Sequence, residues 1–470
     1  MFRHLLTLLT LSASLVTAHA QQAGSPAAAA KPSAGVVNDW LRSQWTNASP
    51  WDVGAQIRLR YEVKENAGNA TGAGASADFI KTGFNNDNVF WVTRTKVHVG
   101  YKPQSWLQFY VQGRDSRSTG DDRAVNSDSD QFELYQAYLQ IGNPKEFPLS
   151  LKIGRQELSY GEERFIGKSD WGNTGRVFDA AKLRFEQGDY SLDGFVGRIN
   201  GANDNNFNLA EDYEYFSGIY GTAKNLIPKM DTHLYFIARN AVGTTTVTGV
   251  TPPSDRDVYT IGARLASIPG QFGNWDFAAE FAGQFGTVGA LDHTAYGAFL
   301  TAGYTWKESA WTPRLGIQYD WGSGDEDSTD GKSGTLDQLY GTNHGKYGYI
   351  DVIGLRNIHD PHLRFSAKPH KDLSVAADLH AYFLSDDRDS FYSESGTARG
   401  SNGYGRNSQF SKYLGSELDL VLSYSVNKWW TLQAGYAHFF TGSYIKSSVE
   451  AGGGIATDAD WVYFQTIFNF

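Results

Sequence analysis

Apolar and polar side chains alternate with a period of two in many segments of this chain. In residues 53–64, Ile57 and Leu59 would lie on one face of an extended strand, whereas Arg58 and Arg60 would lie on the other. This alternation is typical of β-strands with one apolar and one polar face. The segments with this pattern are 53–64, 91–101, 106–114, 134–141, 149–155, 178–186, 190–198, 213–223, 232–239, 257–266, 275–285, 295–305, 313–321, 362–368, 373–383, 414–424, 429–440 and 461–470. The chain is therefore predicted to be all-β.

Alternation alone does not separate a soluble β-sandwich from a membrane barrel, which turns its apolar side chains to lipid and its charges to a wet lumen. The ends of the chain favour the barrel. Residues 1–20 combine a basic start, an apolar run and small residues at Ala18 and Ala20, which predicts a secretory signal peptide. Phe468 and Phe470 share one face of the last segment, as in the closing strand of an outer-membrane barrel. Beyond residue 20 no apolar stretch approaches the ~20 residues of a membrane helix.

These observations predict a single transmembrane antiparallel up-and-down β-barrel of about 18 strands, with long extracellular loops and short periplasmic turns. Residues 1–20 are expected to be the signal peptide, residues 21–50 a periplasmic N-terminal tail with a short helix over 36–45, and residues 51–470 the outer-membrane barrel. At this strand number the lumen is too wide for wall side chains alone to fill. We therefore expect a Sec-exported channel of the Gram-negative outer membrane and no enzyme. Whether residues 324–346 plug the channel stays open.

The polar strand faces carry more basic than acidic side chains, although the formal net charge of the chain is −10. The basic residues expected in the lumen are Arg58, Arg60, Lys64, Arg94, Lys96, Arg114, Lys152, Lys182, Arg184, Arg239, Arg264, Arg314, Arg364 and Lys368. The acidic ones are Glu62, Glu186, Asp276, Glu280, Asp320, Asp378, Glu417 and Asp419. Because rings of Arg and Lys select anions, this pattern predicts an anion-selective path. Since the last strand closes on the first, Glu417 and Asp419 are expected to form ion pairs with the arginines of the first strand. The alternative is that these charges only solvate a wet interior.

Residues 153–185 contain Ile-Gly-Arg-Gln-Glu-Leu-Ser-Tyr-Gly-Glu-Glu-Arg-Phe-Ile-Gly and then Asp-Trp-Gly-Asn-Thr-Gly-Arg-Val-Phe-Asp-Ala-Ala-Lys-Leu-Arg-Phe. This segment resembles the hallmark of the bacterial alginate-export outer-membrane β-barrel family, and shorter matches extend the resemblance along the rest of the mature chain. The resemblance implies a monomeric 18-stranded barrel with a narrow, arginine-rich constriction that conducts an anionic polysaccharide outward. The pore residues it implies are Arg58, Arg60, Arg155, Arg164, Arg176 and Arg184, with Glu157, Glu163 and Asp179 as partners.

The alternation adds Glu62, Arg94, Lys96 and Lys182 to this candidate pore and substrate path. Strict alternation from Ile153, however, would turn Arg155 outward, so a bulge would have to bring its side chain into the lumen.

The expected partners are an anionic polysaccharide or a small anionic solute, together with outer-membrane lipid and lipopolysaccharide. Periplasmic secretion partners stay open. Two other functions also stay open, namely a substrate-selective uptake porin for small hydrophilic solutes and a non-conducting surface receptor or adhesin. The acidic isoelectric point of about 5.6 argues against nucleic acid as a partner.

The sequence predicts no cofactor, no catalytic site and no metal site. Residues 331–333 read Gly-Lys-Ser but lack the first glycine of a phosphate-binding loop. The acidic run 325–330 lacks the ligand spacing and closing glutamate of a calcium loop. His359, His362 and His370 are close in sequence, but Pro361 places them on an expected turn.

Overall fold

The computed structural model describes residues 35–45, 47–68, 74–81, 83–123, 128–204, 206–243 and 255–470. The predicted signal peptide and the first part of the predicted tail lie outside the described residues. The helices are α1 (Val36–Gln44) and α2 (Ser443–Ala451), and Gly74–Ala77 forms a 3-10 turn. The strands are β1 (Trp51–Glu65), β2 (Asn88–Gln104), β3 (Leu107–Thr119), β4 (Asp130–Ile141), β5 (Leu149–Gln156), β6 (Val177–Gln187), β7 (Tyr190–Asn200), β8 (Glu214–Lys224), β9 (Met230–Ala241), β10 (Arg256–Ser267), β11 (Trp275–Val288), β12 (Leu291–Thr305), β13 (Arg314–Gly322), β14 (Lys332–Ser333), β15 (Ile358–His370), β16 (Leu373–Leu384), β17 (Tyr413–Asn427), β18 (Trp430–Thr441) and β19 (Ala459–Asn469).

The strands form one sheet that closes on itself. The sheet has 19 strands, of which β14 is a two-residue strand lying parallel to β12, so the other 18 form the wall. Each wall strand pairs antiparallel with its neighbours, and β19 closes the barrel by pairing with β1 in the register Arg60↔Gln465. The predicted all-β, 18-stranded up-and-down barrel is confirmed, and α1 confirms the predicted helix before the first strand.

The two faces of each wall strand differ in the way that a membrane barrel requires. On β1, Ile57 and Leu59 are 42% and 39% exposed on the outside, whereas Arg58 and Arg60 are 2% and 1% exposed on the inside. A soluble sandwich would bury the apolar residues and expose the charges. The outer surface is therefore suited to lipid and the inner surface to charge and water.

The two ends of the barrel also differ. At one end the strands are joined by short turns, such as 105–106, 188–189 and 371–372. At the other end they are joined by long loops, of which 323–357 and 385–412 are the longest that lie wholly within the described residues. In outer-membrane barrels, long loops face the cell exterior and short turns face the periplasm. The difference between the two ends of this barrel agrees with the predicted arrangement of long loops and short turns. Neither of the two described helices is long and apolar enough to cross a membrane.

Two of the long loops fold into the lumen. The first inner loop is residues 157–176 and the second inner loop is residues 323–357. Phe165 of the first and Tyr340 of the second are almost fully buried in one apolar cluster with wall residues. The Tyr340 ring lies 4.7 Å from the ring of Phe216 on β8. Residues 335–346 therefore fold into the barrel, whereas residues 326–332 of the same loop are exposed.

Candidate functional site

The inner face of β1, β2 and β3 carries a cluster of basic side chains, here called the basic wall: Arg58, Arg60, Arg94, Lys96 and Arg114. The cluster follows from the strand register, because Arg58 is directly opposite Arg94 and Lys96 is directly opposite Arg114. Like charges that face each other across a sheet are destabilising. The basic wall is also buried, with Arg58 only 2% exposed, so it needs acceptors that are close at hand.

The first inner loop supplies those acceptors, mainly as backbone carbonyl oxygens. Arg58 donates to the carbonyls of Asp170 at 2.8 Å and Gly172 at 3.2 Å. Arg94 also donates to the Asp170 carbonyl, at 2.9 Å. Arg60 donates to the carbonyl of Trp171 at 3.0 Å. Basic side chains of the wall thus donate to three consecutive carbonyls of the first inner loop, those of Asp170, Trp171 and Gly172.

Asn173 joins the same turn to β2 and to the loop before β4 through its side-chain amide and its backbone N–H. Its side-chain amide donates to the carbonyls of Thr93 at 2.9 Å and Asp128 at 2.8 Å, and its backbone N–H donates to Asp128 Oδ1 at 2.8 Å. Asn173 is fully buried. The sequence analysis missed this residue because it searched for charge; its place in the Asp-Trp-Gly-Asn-Thr-Gly turn was the available signal.

Asp170 brings a carboxylate to the basic wall. Its Oδ1 lies 3.1 Å from Arg94 Nη2 and 3.2 Å from Lys96 Nζ. Burial inside the barrel alone would raise the pKa of the Asp170 carboxyl, although 45% of the side-chain surface is open to the lumen. The charges of Lys96 and Arg94 outweigh this effect and hold the pKa below its usual value. Asp170 is therefore ionised at neutral pH.

Arg60 also packs on an aromatic ring of the first inner loop. Its guanidinium lies 3.9 Å above the ring of Trp171. The other side of that ring stacks on His344 of the second inner loop, with centroids 3.7 Å apart and planes 4° apart. Glu62, which was also expected in the pore, accepts a hydrogen bond from Arg60 Nε at 2.7 Å. Both predicted residues lie inside the barrel but are engaged in these contacts.

Arg164 and Arg176 lie within the first inner loop and join it to its surroundings. Arg164 donates to Asp320 Oδ2 on β13 at 2.8 Å and to the hydroxyl of Tyr347 at 2.9 Å. Arg176 donates to the carbonyl of Gly341 at 3.0 Å. The loops also bond directly, because the Tyr340 N–H donates to the carbonyl of Phe165 at 2.9 Å. The two inner loops therefore form one packed body.

Arg155 and Asp179 do not face the lumen. They are direct partners in the β5–β6 register, on the same face as Ile153 and Leu183, which are 47% and 49% exposed to the outside. Arg155 Nε donates to Asp179 Oδ1 at 2.7 Å, and Nη2 donates to the carbonyl of Asn208 at 3.1 Å. The expectation that both residues line the pore was wrong, because the strand keeps strict alternation with no bulge to turn Arg155 inward.

The remaining predicted residues lie on or next to the inner face. Glu157 accepts a hydrogen bond from the hydroxyl of Tyr135 at 2.9 Å. Lys182 Nζ lies 3.7 Å from Asp193 Oδ2, and Arg184 Nη1 donates to Asp193 Oδ1 at 3.0 Å. Asp193 thus partly neutralises this part of β6.

Two lumen cations keep their ammonium groups available. Lys152 of β5 lies opposite Lys182 and places its Nζ 3.6 Å from the ring centre of Tyr138. Lys168 lies in the first inner loop. Within the described part of the chain, neither ammonium group forms an ion pair.

The inner face of β13, β15, β16 and β17 is acidic, and this acidic wall consists of Asp320, Asp360, Asp378, Glu417 and Asp419. It holds the second inner loop through N–H groups: Glu417 Oε1 accepts from the backbone of Tyr349 at 2.7 Å and of Ile350 at 2.9 Å. The predicted ion pairs between Glu417 or Asp419 and the first-strand arginines were wrong, because the inner loops lie between the two walls and take up both sets of charges.

An apolar outside, a charged inside and loops folded into the lumen define the class of outer-membrane channels and porins. The sequence matches the family model described as alginate export over residues 49–455, so the chain belongs to the alginate-export family of the outer membrane. No protein of curated function matches the sequence at a significant level.

Solved structures of porins are similar in fold. Outer membrane protein opdK from Pseudomonas aeruginosa is 10% identical with a TM-score of 0.56, over 89% of this chain and 98% of that one. A BenF-like porin from Pseudomonas fluorescens Pf-5 is also 10% identical with a TM-score of 0.56, over 89% and 99% of the two chains. OccK2 (OpdF) from Pseudomonas aeruginosa is 11% identical with a TM-score of 0.55, over 90% and 98%. At these identities the likeness concerns the fold alone.

Proposed function

We propose that this outer-membrane channel passes an anionic polysaccharide or a related organic anion. The observation that carries the proposal is the Asp170 carboxylate, which lies 3.1 Å from Arg94 and 3.2 Å from Lys96 while remaining partly open to the lumen. A carboxylate of a passing solute would bind the same two cations when the first inner loop moves aside. The loop then acts as an internal competitor for the solute.

The chemistry of the basic wall suits carboxylates. Arginine offers a planar set of N–H donors that matches a carboxylate, and lysine offers a compact positive charge. A polyuronate carries one carboxylate on each sugar, so Lys168, Lys152 and Lys182 would offer it further weak contacts. Several weak sites in series allow passage, whereas one tight site would trap the polymer.

Single-channel recording in a planar bilayer tests this proposal. We expect a current that is anion-selective in a salt gradient and is blocked by added polyuronate. The substitution Asp170→Asn removes the competing charge but keeps the shape of the side chain. It should lower the half-blocking polyuronate concentration about 3- to 10-fold, which corresponds to roughly 0.7–1.4 kcal/mol.

The matched control is Asp115→Asn. Asp115 is also paired with an arginine, Arg117, but follows Val111 on the outward face of β3, where Val111 is 51% exposed. This change should leave the block unaltered. Equal block of the wild type and the Asp170→Asn variant would count against a carboxylate site at Arg94 and Lys96.

A substrate-selective uptake porin for small solutes is the second candidate. The packing of the inner loops favours it, because the two loops form one body in the lumen and a small solute needs a smaller displacement of that body than a polymer does. Current that is indifferent to polyuronate but carried by small carboxylates would select this function. A reconstituted barrel without any current would instead favour a surface receptor or adhesin.

A further inference from the structure

Three potential metal ligands meet in the barrel wall below the second inner loop. His362 of β15 and His380 of β16 are direct cross-strand partners, and Asp360 precedes His362 by two residues on the same face of β15. All three are at most 4% exposed. One ligand atom from each of them lies within 4.8 Å of the others. Two strands therefore bring together a carboxylate and two imidazoles that the sequence analysis had assigned to no site.

Two of the three ligand–ligand distances are close to those of tetrahedral coordination. Asp360 Oδ2 lies 3.3 Å from His362 Nδ1 and 3.0 Å from His380 Nδ1. Zinc binds imidazole nitrogen and carboxylate oxygen at about 2.0–2.2 Å in a tetrahedron, which sets neighbouring ligand atoms roughly 3.3 Å apart. The carboxylate oxygen thus lies close to a ligand–ligand distance from each imidazole nitrogen, and at His380 the 3.0 Å contact is a hydrogen bond that the ion would replace.

Unpartnered polar atoms provide an independent observation. Within the described part of the chain, the buried His362 Nδ1 and His380 Nε2 have no hydrogen-bond partner. Buried polar atoms of this kind are rare in native proteins and call for an explanation such as an ion. His380 Nε2 points toward Asp419 Oδ2 at 3.7 Å, the arrangement in which a second carboxylate orients a metal-binding imidazole.

The charge around the three residues also favours a cation. Asp320 lies directly opposite Asp360 in the β13–β15 register, and Asp378, Glu417 and Asp419 line the same face. The nearby cations are already engaged, because Arg164 pairs with Asp320 and Arg364 pairs with Asp378. The acidic wall therefore places several further carboxyl groups beside Asp360, whose charge a bound cation would neutralise.

We propose that Asp360, His362 and His380 bind one first-row transition-metal ion, with zinc as the best match to the ligand set. Asp419 is a positioning residue that holds the His380 ring. The ion would neutralise the buried carboxylates and fasten β15 to β16. Asp320, which lies opposite Asp360, also forms the ion pair with Arg164 of the first inner loop. The metal site is therefore adjacent to a contact that holds the inner loops.

Zinc titration of the full-length protein in detergent, after treatment with a chelator, tests the site by calorimetry. We expect one ion per chain. His380→Asn should weaken binding by more than about 100-fold, beyond the roughly 10- to 100-fold loss that is typical of second-shell changes, and Asp419→Asn should fall within that range. The control is His359→Asn, since His359 lies on the same strand but hydrogen-bonds the hydroxyl of Tyr319 at 2.6 Å. Absence of saturable binding, or equal binding by the His380→Asn variant, would overturn the proposal.

A second measurement uses only the wild-type chain and so does not depend on how the variants fold. Copper(II) bound at this site should give an electron paramagnetic resonance spectrum with nitrogen coupling from two imidazoles. Coupling from one nitrogen or from none would show that His362 and His380 do not bind the ion together.

Discussion

The basic wall and the acidic wall both hold the inner loops inside the barrel, but they bind opposite ends of the peptide dipole. Arg58 and Arg94 of the basic wall donate to the carbonyls of the first inner loop. Glu417 of the acidic wall accepts from two N–H groups of the second inner loop. The difference teaches that charged side chains of both walls hold an internal plug in the described part of the chain. Under the proposed function, an anionic solute would replace the carbonyls and the carboxylate that the first inner loop presents to the basic wall.

The largest effect is expected from removing the grip of the basic wall. In the double substitution Arg58→Ala with Arg94→Ala, the first inner loop loses at least four hydrogen bonds from charged donors. Such bonds contribute roughly 1.5–3 kcal/mol each, offset in part by relief of the repulsion between the two arginines. Channel openings in which the first inner loop leaves the lumen should therefore become about 10- to 100-fold more frequent in single-channel records.

The control for this variant is Arg117→Ala, because Arg117 is a largely exposed arginine at the end of β3. Its openings should match those of the wild type. An unchanged opening frequency in the double variant would break the comparison, since it would mean that the basic wall does not hold the loop.

An intermediate effect is expected at the acidic wall. The substitution Glu417→Ala removes the acceptor of the Tyr349 and Ile350 N–H groups and should raise the opening frequency by roughly tenfold or less, the equivalent of about 1.4 kcal/mol. Glu417→Gln keeps an acceptor oxygen and should have a smaller effect. Glu417→Ala should leave the half-blocking polyuronate concentration unchanged, because Glu417 holds the second inner loop and, among the described residues, does not contact the first. A change as large as that expected for Asp170→Asn would remove the distinction between the walls.

The smallest effect is expected from pH. Glu394 lies in the loop 385–412, and its carbonyl accepts a hydrogen bond from Asn343 of the second inner loop. Burial, followed by the charge of Asp351, raises the pKa of the Glu394 carboxyl from 4.5 to about 7. The packed state therefore binds the proton more tightly than a released loop does. Its stability should be highest below pH 4.5, fall as the pH rises to about 7 and then stay constant.

Recordings across this pH range compare the wild type with the Glu394→Gln variant. The difference in opening frequency between the two should grow with pH up to about 7. A difference that is independent of pH would mean that Glu394 is ionised throughout this range and that its protonation does not stabilise the packed loops.

Several features of the site were predictable from sequence because they depend on strand alternation. Arg58, Arg60, Arg94 and Lys96 lie inside the barrel as predicted. Arg155 faces outward for the same reason, and the resemblance to a family was the weaker guide there. His362 was misplaced on a turn because Pro361 normally ends a strand. In the structure Pro361 lies opposite Tyr319 of β13, but the β15–β16 register passes from His359 to His362 and gives it no partner on β16. The missing N–H of the proline is therefore tolerated inside the strand.

The sequence by itself determined the strands and their faces, since alternation is a local property that each strand carries within about ten residues. The barrel was predictable only with the additional signals at the two ends of the chain. The tertiary structure alone decided what the lumen charges do. Arg58 contacts the carbonyl of Asp170, which is 112 residues away along the chain, and Asn173 contacts Thr93 through a neutral amide. The path of a long loop depends on many weak contacts with distant residues, so no local pattern encodes it.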